Sequence, residues 1–307
     1  MKLATYKNGS RDGQLVVVSK DLSTAHYASD IAHHLQEVLD DWGFMAAQLQ
    51  DLYEALNQGR SRHSFPFDPM QCMAPMPRPH QLIQAAAYTR HIDTHTVSKA
   101  SDPWVQYQST DCLLGPHQAV IKGAGEYELD FAAGLTVITD DVAQGIKPSQ
   151  ATDHIRLVML SVGWTLQKGR SNNSEAWATS YSSVAVTPEE LGEAWKKGRP
   201  LLNMQVQFRG RKFGFCDTDA GMRFHFGALI TYLSRNKKLQ AGTMVDSGPV
   251  SHEEIEQGFC SLSEKRNYEI IKDQSITTQW MKGEDSMRVE AKTHEGHSPF
   301  GIIEPMV

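Results

Sequence analysis

The segment Gly125-Glu126-Tyr127-Glu128-Leu129-Asp130-Phe131-Ala132-Ala133-Gly134-Leu135-Thr136-Val137-Ile138-Thr139-Asp140-Asp141-Val142 decides how this chain reads. Leu135–Thr139 is an apolar, β-branched run, and Asp140-Asp141 behind it is turn chemistry, so together they predict a strand ending in a turn. Just before the strand, Ala132 and Gly134 carry no donor or acceptor on their side chains. Short apolar runs cut by glycine and aspartate recur through the sequence after Pro79. They predict strands at Ala119–Ile121, Leu135–Ile138, Arg156–Val162, Val184–Val186, Met204–Phe208, Lys212–Phe215 and Met287–Ala291. Gln207–Lys212 reads as a hairpin with Gly210 at its turn.

Helical periodicity is scarcer. Leu15–Ser19 reads as a strand after the Asn8-Gly9 and Asp12-Gly13 turns. Ala28–Leu39 places Ile31, Leu35, Val38 and Leu39 on one helical face, with Ser23 or Thr24 available as a cap. Met45–Leu56 repeats the pattern, and Gly59 is a stop signal. Thr187-Pro188-Glu189-Glu190 is a helix start: cap, proline, then acids in the first turn. Ala220–Ser234 is a further predicted helix. The five prolines of Ser61–Pro79 mark a surface linker. His294-Glu295-Gly296-His297 reads as a hairpin tip rather than a metal cluster.

Composition narrows the function classes. The 307 residues suit one large and one small domain. A net charge of −6 argues against a nucleic-acid partner or an anionic membrane surface. The sequence holds no apolar run long enough to span a bilayer. The first residues are strand-like and show no signal peptide, so a cytoplasmic location is expected. Cys72, Cys112, Cys216 and Cys260 lack metal spacing and form no disulfide framework.

The order of several pieces resembles one family. Met1–Tyr6, Asp12-Gly13 and Leu15–Val18, then Leu35–Trp42, are similar to its small N-terminal domain and first helix. Ala74-Pro75-Met76-Pro77-Arg78 resembles its linker. Leu135–Thr139, Val184–Gly192, Ala241-Gly242-Thr243 through Ser247-Gly248, Glu264-Lys265-Arg266 and Phe300-Gly301 complete the series. These pieces are similar to the fumarylacetoacetate hydrolase family. The resemblance implies an α+β, mainly β fold: a small α/β N-terminal domain over residues 1–73 and a mixed β-roll over residues 74–307. It also implies a homodimer acting on a small-molecule substrate.

The family's functional positions carry over unevenly. Its metal aspartate falls at Gln84, its Glu-x-Glu pair at Ala132 and Gly134, and its last metal aspartate at Gly163. Its lysine falls at Ala176. None of these supplies a hard anionic ligand for a divalent cation, so no metal and no other cofactor is expected. The catalytic histidine persists as His91, with Glu264 as a candidate orienting carboxylate. Tyr88, Gln84, Gln106, Tyr107 and Thr243 complete the substrate-binding set that the resemblance implies.

The leading expectation is a metal-independent acid/base enzyme acting on a β-dicarbonyl or β-polyketone compound, by enolisation, cyclisation, dehydration or C–C chemistry. Two alternatives stand beside it. One is a non-catalytic ligand-binding or scaffolding relative. The other is a metal-dependent C–C hydrolase whose site has shifted to Glu126 and Glu128.

Overall fold

The computed structural model describes residues 1–89, 102–120, 128–167, 174–252, 254–283 and 285–305. The architecture is α+β and mainly β. The N-terminal part supplies β1 (Lys2–Tyr6), β2 (Gln14–Val18), β3 (Thr24–Tyr27) and β4 (Phe65–Pro66). Two helices, Leu35–Asp40 and Trp42–Asn57, lie between β3 and β4. There follow β5 (Gln81–Ala85), β6 (Val105–Gln108), β7 (Leu113–Leu114), β8 (Glu128–Thr139) and β9 (Ile155–Gln167). Next come β10 (Ser174–Tyr181), β11 (Ala185–Val186), β12 (Trp195–Lys196) and β13 (Arg199–Pro200). The chain then adds β14 (Asn203–Phe208), β15 (Arg211–Asp217), β16 (Thr243–Pro249), β17 (Met287–Lys292) and β18 (Ile302–Ile303).

One sheet runs β4-β3-β2-β1-β11-β9-β8-β16-β5-β6, so the N-terminal strands continue into the main sheet. β9 branches: Val158 pairs with β11, while Ser161–Gln167 pairs with β10. A second sheet has the order β15-β14-β17-β18. The spine is the long antiparallel pair β8·β9, in register from Glu128↔Gln167 to Thr139↔Ile155. Both faces of this pair are covered over Leu135–Ile138 and Leu157–Leu160, which is why those stretches read as near-continuous apolar runs. Leu129, Phe131, Ala133, Leu135 and Val137 of β8 join the larger core with Val158, Leu160, Val162 and Trp164 of β9. On the opposite face Ile138, Leu157, Met159, Met244 and Leu82 pack under Val38, Leu39, Leu49, Tyr53 and Leu56 of the two N-terminal helices.

The turn after β8 is stapled as its sequence implied. Asp140 accepts from His154 Nδ1 at 2.6 Å and from the Arg156 guanidinium, while Asp141 accepts from Ala241 N at 3.0 Å. Arg209 and Gly210 both have positive φ at the β14–β15 hairpin. Gly59, at φ +66°, stops its helix, with Arg60 N bonded to Ala55 O at 2.8 Å. Thr293 and His297 close the predicted hairpin tip.

Three local expectations need correction. The helix predicted over Ala28–Leu39 begins only at Leu35, because Ala28 N and His33 O are hydrogen-bonded to Leu15 of β2 instead. The helix predicted over Ala220–Ser234 begins at Phe226. Its earlier backbone is bound elsewhere: Arg223 N and Phe224 N both donate to Ala87 O, and Thr89 N donates to Gly221 O. His225 then caps the helix, its Nδ1 accepting from Ala228 N. Ala119 and Val120 form no strand, and Ile121 lies outside the described residues.

Two predictions follow from this packing. A Cβ at Gly134 would fall 2.4 Å from Gly248 O, whereas one at Gly163 meets nothing nearer than 3.9 Å. Gly134→Ala should destabilise the fold by roughly 2–4 kcal/mol. Gly163→Ala should be neutral or slightly stabilising, and paired urea unfolding curves check the contrast. The second concerns Glu269, whose carboxylate accepts from the backbone N–H and the hydroxyl of both Thr277 and Thr278. Burial raises its pKa, but these four bonds outweigh burial and take it down to about 2. Its stabilisation is therefore complete above the unfolded value of about 4.3 and is lost as pH falls toward 2. Glu269→Gln should cost roughly 2–3 kcal/mol at neutral pH and flatten the acid limb of stability against pH.

Candidate functional site

On the helix-covered face, the side chains change character along each central strand. β8 runs Ile138, Thr136, Gly134, Ala132; β9 runs Met159, Ser161, Gly163, Thr165. The apolar end lies under the helices. The small and polar end borders a pocket lined by Leu82, Gln84, Gln108, Gly163, Thr165 and Ala176, and by Ala178, Thr179, Tyr181 and Asp246.

The backbone register gathers the four positions at which metal ligands were expected. Ala132 pairs directly with Gly163, and the Cβ position of Gly163 lies 3.9 Å from Gln84 Nε2. Gly134 pairs with Pro249 of β16. Gln84 lies beside Asp246 in the parallel β5·β16 register. Ala176, at the expected lysine position, lines the same pocket. The positions thus converge in space, although none carries a carboxylate.

Among the described residues, one carboxylate lines the pocket, and it comes from β16. Asp246 Oδ2 accepts from Thr136 Oγ1 at 2.6 Å and from Ser161 Oγ at 2.5 Å, and Oδ1 accepts from Gly248 N at 2.7 Å. Burial pushes its pKa up, and the three hydrogen bonds oppose that rise. A second buried acid, Asp130, holds the start of helix Leu262–Asp273 by accepting from Leu262 N, Ser263 N and the Ser263 hydroxyl. Burial brings Asp130 up to about 6 against those bonds.

The other expected site residues divide clearly. Gln84 faces the pocket, and its Oε1 accepts from Gln108 Nε2 at 2.9 Å. Gln106 is its cross-strand partner but is exposed. Tyr107 is 54% exposed and lies under the ammonium of Lys237. Of the three-residue run, it is Gln108 that reaches inward. Tyr88 is fully buried and donates to Thr218 O at 2.9 Å, so its hydroxyl is committed to the fold. Thr243 is also buried, donates to Gln240 O, and sits at the helix-covered end of β16. Glu264 is buried in the first turn of its helix and accepts from Ser251 Oγ at 2.5 Å. His91 and Glu126 lie outside the described residues. Glu128 is exposed at the start of β8.

Sequence reasoning missed Asp246, Tyr181 and Thr165. Asp246 did leave a signal: it is an acid inside Thr243–Pro249, a strand buried along its whole length, where an unpartnered charge is not tolerated. Tyr181 left none, because only the closing of β10 against β9 brings it to the pocket.

A divalent cation does not fit the described residues of the pocket. The four converging positions offer one neutral amide and no carboxylate. Gly248 O fills the space that any side chain at Gly134 would need. Among the described residues no group of three or more His, Cys, Asp or Glu side chains is placed to hold a metal.

The comparisons agree with this geometry at the level of the fold. Residues 1–78 match the family model for fumarylacetoacetase N-terminal domain 2, and residues 82–304 match that for the fumarylacetoacetate hydrolase C-terminal domain. No curated protein sequence is a significant match. Among solved structures, fumarylacetoacetate hydrolase from Exiguobacterium antarcticum is similar at TM-score 0.69 and 15% identity, covering 100% of this chain and 99% of that one. Maleylpyruvate hydrolase from Sphingobium sp. SYK-6, solved with manganese(II) and pyruvate, is similar at TM-score 0.67 and 13% identity, with coverage of 100% and 99%. The 2-hydroxyhepta-2,4-diene-1,7-dioate isomerase from Mycobacterium marinum follows at 0.61 and 13%, with coverage of 100% and 98%. The two matched models span the sheet, the linker and the pocket strands, and by them this chain belongs to the fumarylacetoacetate hydrolase family.

Proposed function

We propose that the chain is an enzyme that moves protons on a small β-dicarbonyl or β-polyketone compound without a divalent cation. One observation carries the reading. The pocket strands converge as the family's fold requires, yet Gln84, Ala132, Gly134 and Gly163 leave them without cation ligands, while polar groups still line the space. Polar residues are costly to keep in a buried cleft without a use. The similar solved structures include a maleylpyruvate hydrolase, a fumarylacetoacetate hydrolase and a 2-hydroxyhepta-2,4-diene-1,7-dioate isomerase, which supports a carbonyl or enol substrate.

In this reading His91 is the acid/base. The carbon between two carbonyls loses a proton to the neutral imidazole, its electron pair enters the new C=C bond, and one carbonyl becomes the enol oxygen. Proton return at carbon or oxygen completes an enolisation or sets up a cyclisation or dehydration. Without a metal, the developing charge must be met by hydrogen-bond donors. Glu264 is the orienting carboxylate for His91. Its burial and its bond from Ser251 fix its rotamer, as such a role needs. Hydrolysis of a C–C bond is disfavoured, because its leaving enolate would lack a cationic stabiliser.

The test is deuterium exchange into the central carbon of acetylacetone, followed by proton NMR. His91→Ala should exchange roughly 100-fold more slowly than the wild type, with an unchanged melting temperature. The wild-type rate should show a limb within a unit or two of about pH 6.5. A His91→Ala variant that exchanges at the wild-type rate rules the mechanism out.

A further inference from the structure

Tyr181 brings a phenol to the pocket lining. Tyr181 ends β10, paired with Ser161 of β9, and is fully buried. Its ring packs in the helix-covered core with Met159 and Met244. Its hydroxyl makes no well-formed hydrogen bond, although the Thr179 side chain lies close enough to act on it. Burying a phenol O–H without a good acceptor costs stability, so such a group calls for a ligand. Burial, reinforced by the charge of Asp246, keeps this phenol far above its ordinary pKa. It is therefore a neutral donor across the physiological range.

Two further groups face the same space. Gln84 Oε1 is occupied by Gln108, which leaves Nε2 turned toward the open Cβ position of Gly163. Among the described residues no acceptor takes that Nε2. Opposite, Asp246 accepts three hydrogen bonds. A carboxylate has about four acceptor sites, so Oδ1 keeps one. The Tyr181 hydroxyl and Gln84 Nε2 are thus neutral donors and Asp246 an acceptor, and among the described residues Asp246 is the only charged one lining the pocket.

This set complements a particular ligand. The cis-enol of a 1,3-dicarbonyl carries a carbonyl oxygen and, three atoms away, an O–H. We propose that the Tyr181 hydroxyl and Gln84 Nε2 donate to the carbonyl oxygen while Asp246 Oδ1 accepts the enol O–H. The pocket then selects neutral keto-enols and rejects carboxylates, which Asp246 repels at short range, no cation being among the described lining residues. Gln108 is a positioning residue that holds the Gln84 amide in its donating orientation. The inference rests on the reading above that the substrate is a β-dicarbonyl, and it assigns which groups recognise that substrate and which form they take.

Isothermal titration calorimetry with the full-length protein tests it, using acetylacetone and pyruvate as probes at neutral pH. Wild type should bind acetylacetone and show no heat of binding with pyruvate. Tyr181→Phe and Gln84→Ala should each weaken acetylacetone binding about tenfold, the scale of one hydrogen bond. Asp246→Asn, which removes the negative charge, should allow pyruvate to bind. Tyr181→Phe should melt at or above the wild-type temperature, since its hydroxyl lacks a good partner. Gln84→Ala, on the pocket wall, gives an independent reading should Tyr181→Phe not fold. The proposal is overturned if wild type does not bind acetylacetone, if it binds pyruvate as tightly, or if Tyr181→Phe and Gln84→Ala both bind like wild type. Equilibrium binding is separate from the exchange rate that probes His91. Normal binding by the Tyr181 and Gln84 variants alongside lost exchange in His91→Ala removes this assignment and keeps the acid/base reading. Weakened binding with unimpaired exchange in His91→Ala does the reverse.

Discussion

The site depends on one buried carboxylate. Asp246 can be buried in the middle of the main sheet only because Thr136 of β8, Ser161 of β9 and the amide of Gly248 all donate to it. Removing such partners would leave an uncompensated charge, at a cost of several kcal/mol. The arrangement also shapes the backbone. β16 shifts register between Asp246 and Pro249, and Gly248 takes φ +70°. Ser247 Oγ turns in to accept from Leu135 N. The displaced carbonyl of Gly248 then packs where a side chain at Gly134 would begin. The carboxylate on β16 and the glycine on β8 are therefore linked: the bulge that accommodates Asp246 leaves no room for a side chain at Gly134.

The pocket's location follows from how the sheet is covered. The two N-terminal helices bury the apolar half of one face, where Ile138, Met159 and Met244 lie. Beyond their reach the same strands carry alanine, glycine, serine and threonine. The opposite face stays apolar along its whole length and holds the larger core. The strands are thus fixed by burial on one side and free to line a cleft on the other. Helix Leu262–Asp273 docks its first turn, which carries the buried Glu264, on Asp130, two residues from Ala132.

Much of the fold was legible in the sequence, and the reasons are local. Glycine, aspartate and proline punctuate the main domain, so strands such as Met204–Phe208 and turns such as Asp140-Asp141 declare themselves. The helix expected at Ala28 failed because apolar residues at Ile31 and Leu35 satisfy a helical period even when the intervening backbone is bonded to a neighbouring strand. Likewise Phe224 and Phe226 share an apolar run, but only the second lies inside the helix. In the site, the resemblance of the strand frame at Leu135–Thr139 assigned Ala132 and Gly134, and that of the run Leu157–Gln167 assigned Gly163; the register then places Ala132 opposite Gly163. Tyr88 and Thr243 had matching positions in sequence, but their hydroxyls serve the fold. Asp246 and Tyr181 reach the pocket through the pairing of β16 with β5 and of β10 with β9, contacts between segments far apart in the chain that no local pattern encodes.

The reading proposed for the site is that these strands hold no divalent cation, and that neutral donors and one strand-bound carboxylate line the pocket instead. Titrating the metal-stripped protein with manganese(II), and following the free ion by electron paramagnetic resonance, tests it most directly. The account predicts a free-ion signal that rises as it does in buffer, with no saturable binding at micromolar concentrations. One tightly bound manganese ion per chain would contradict it.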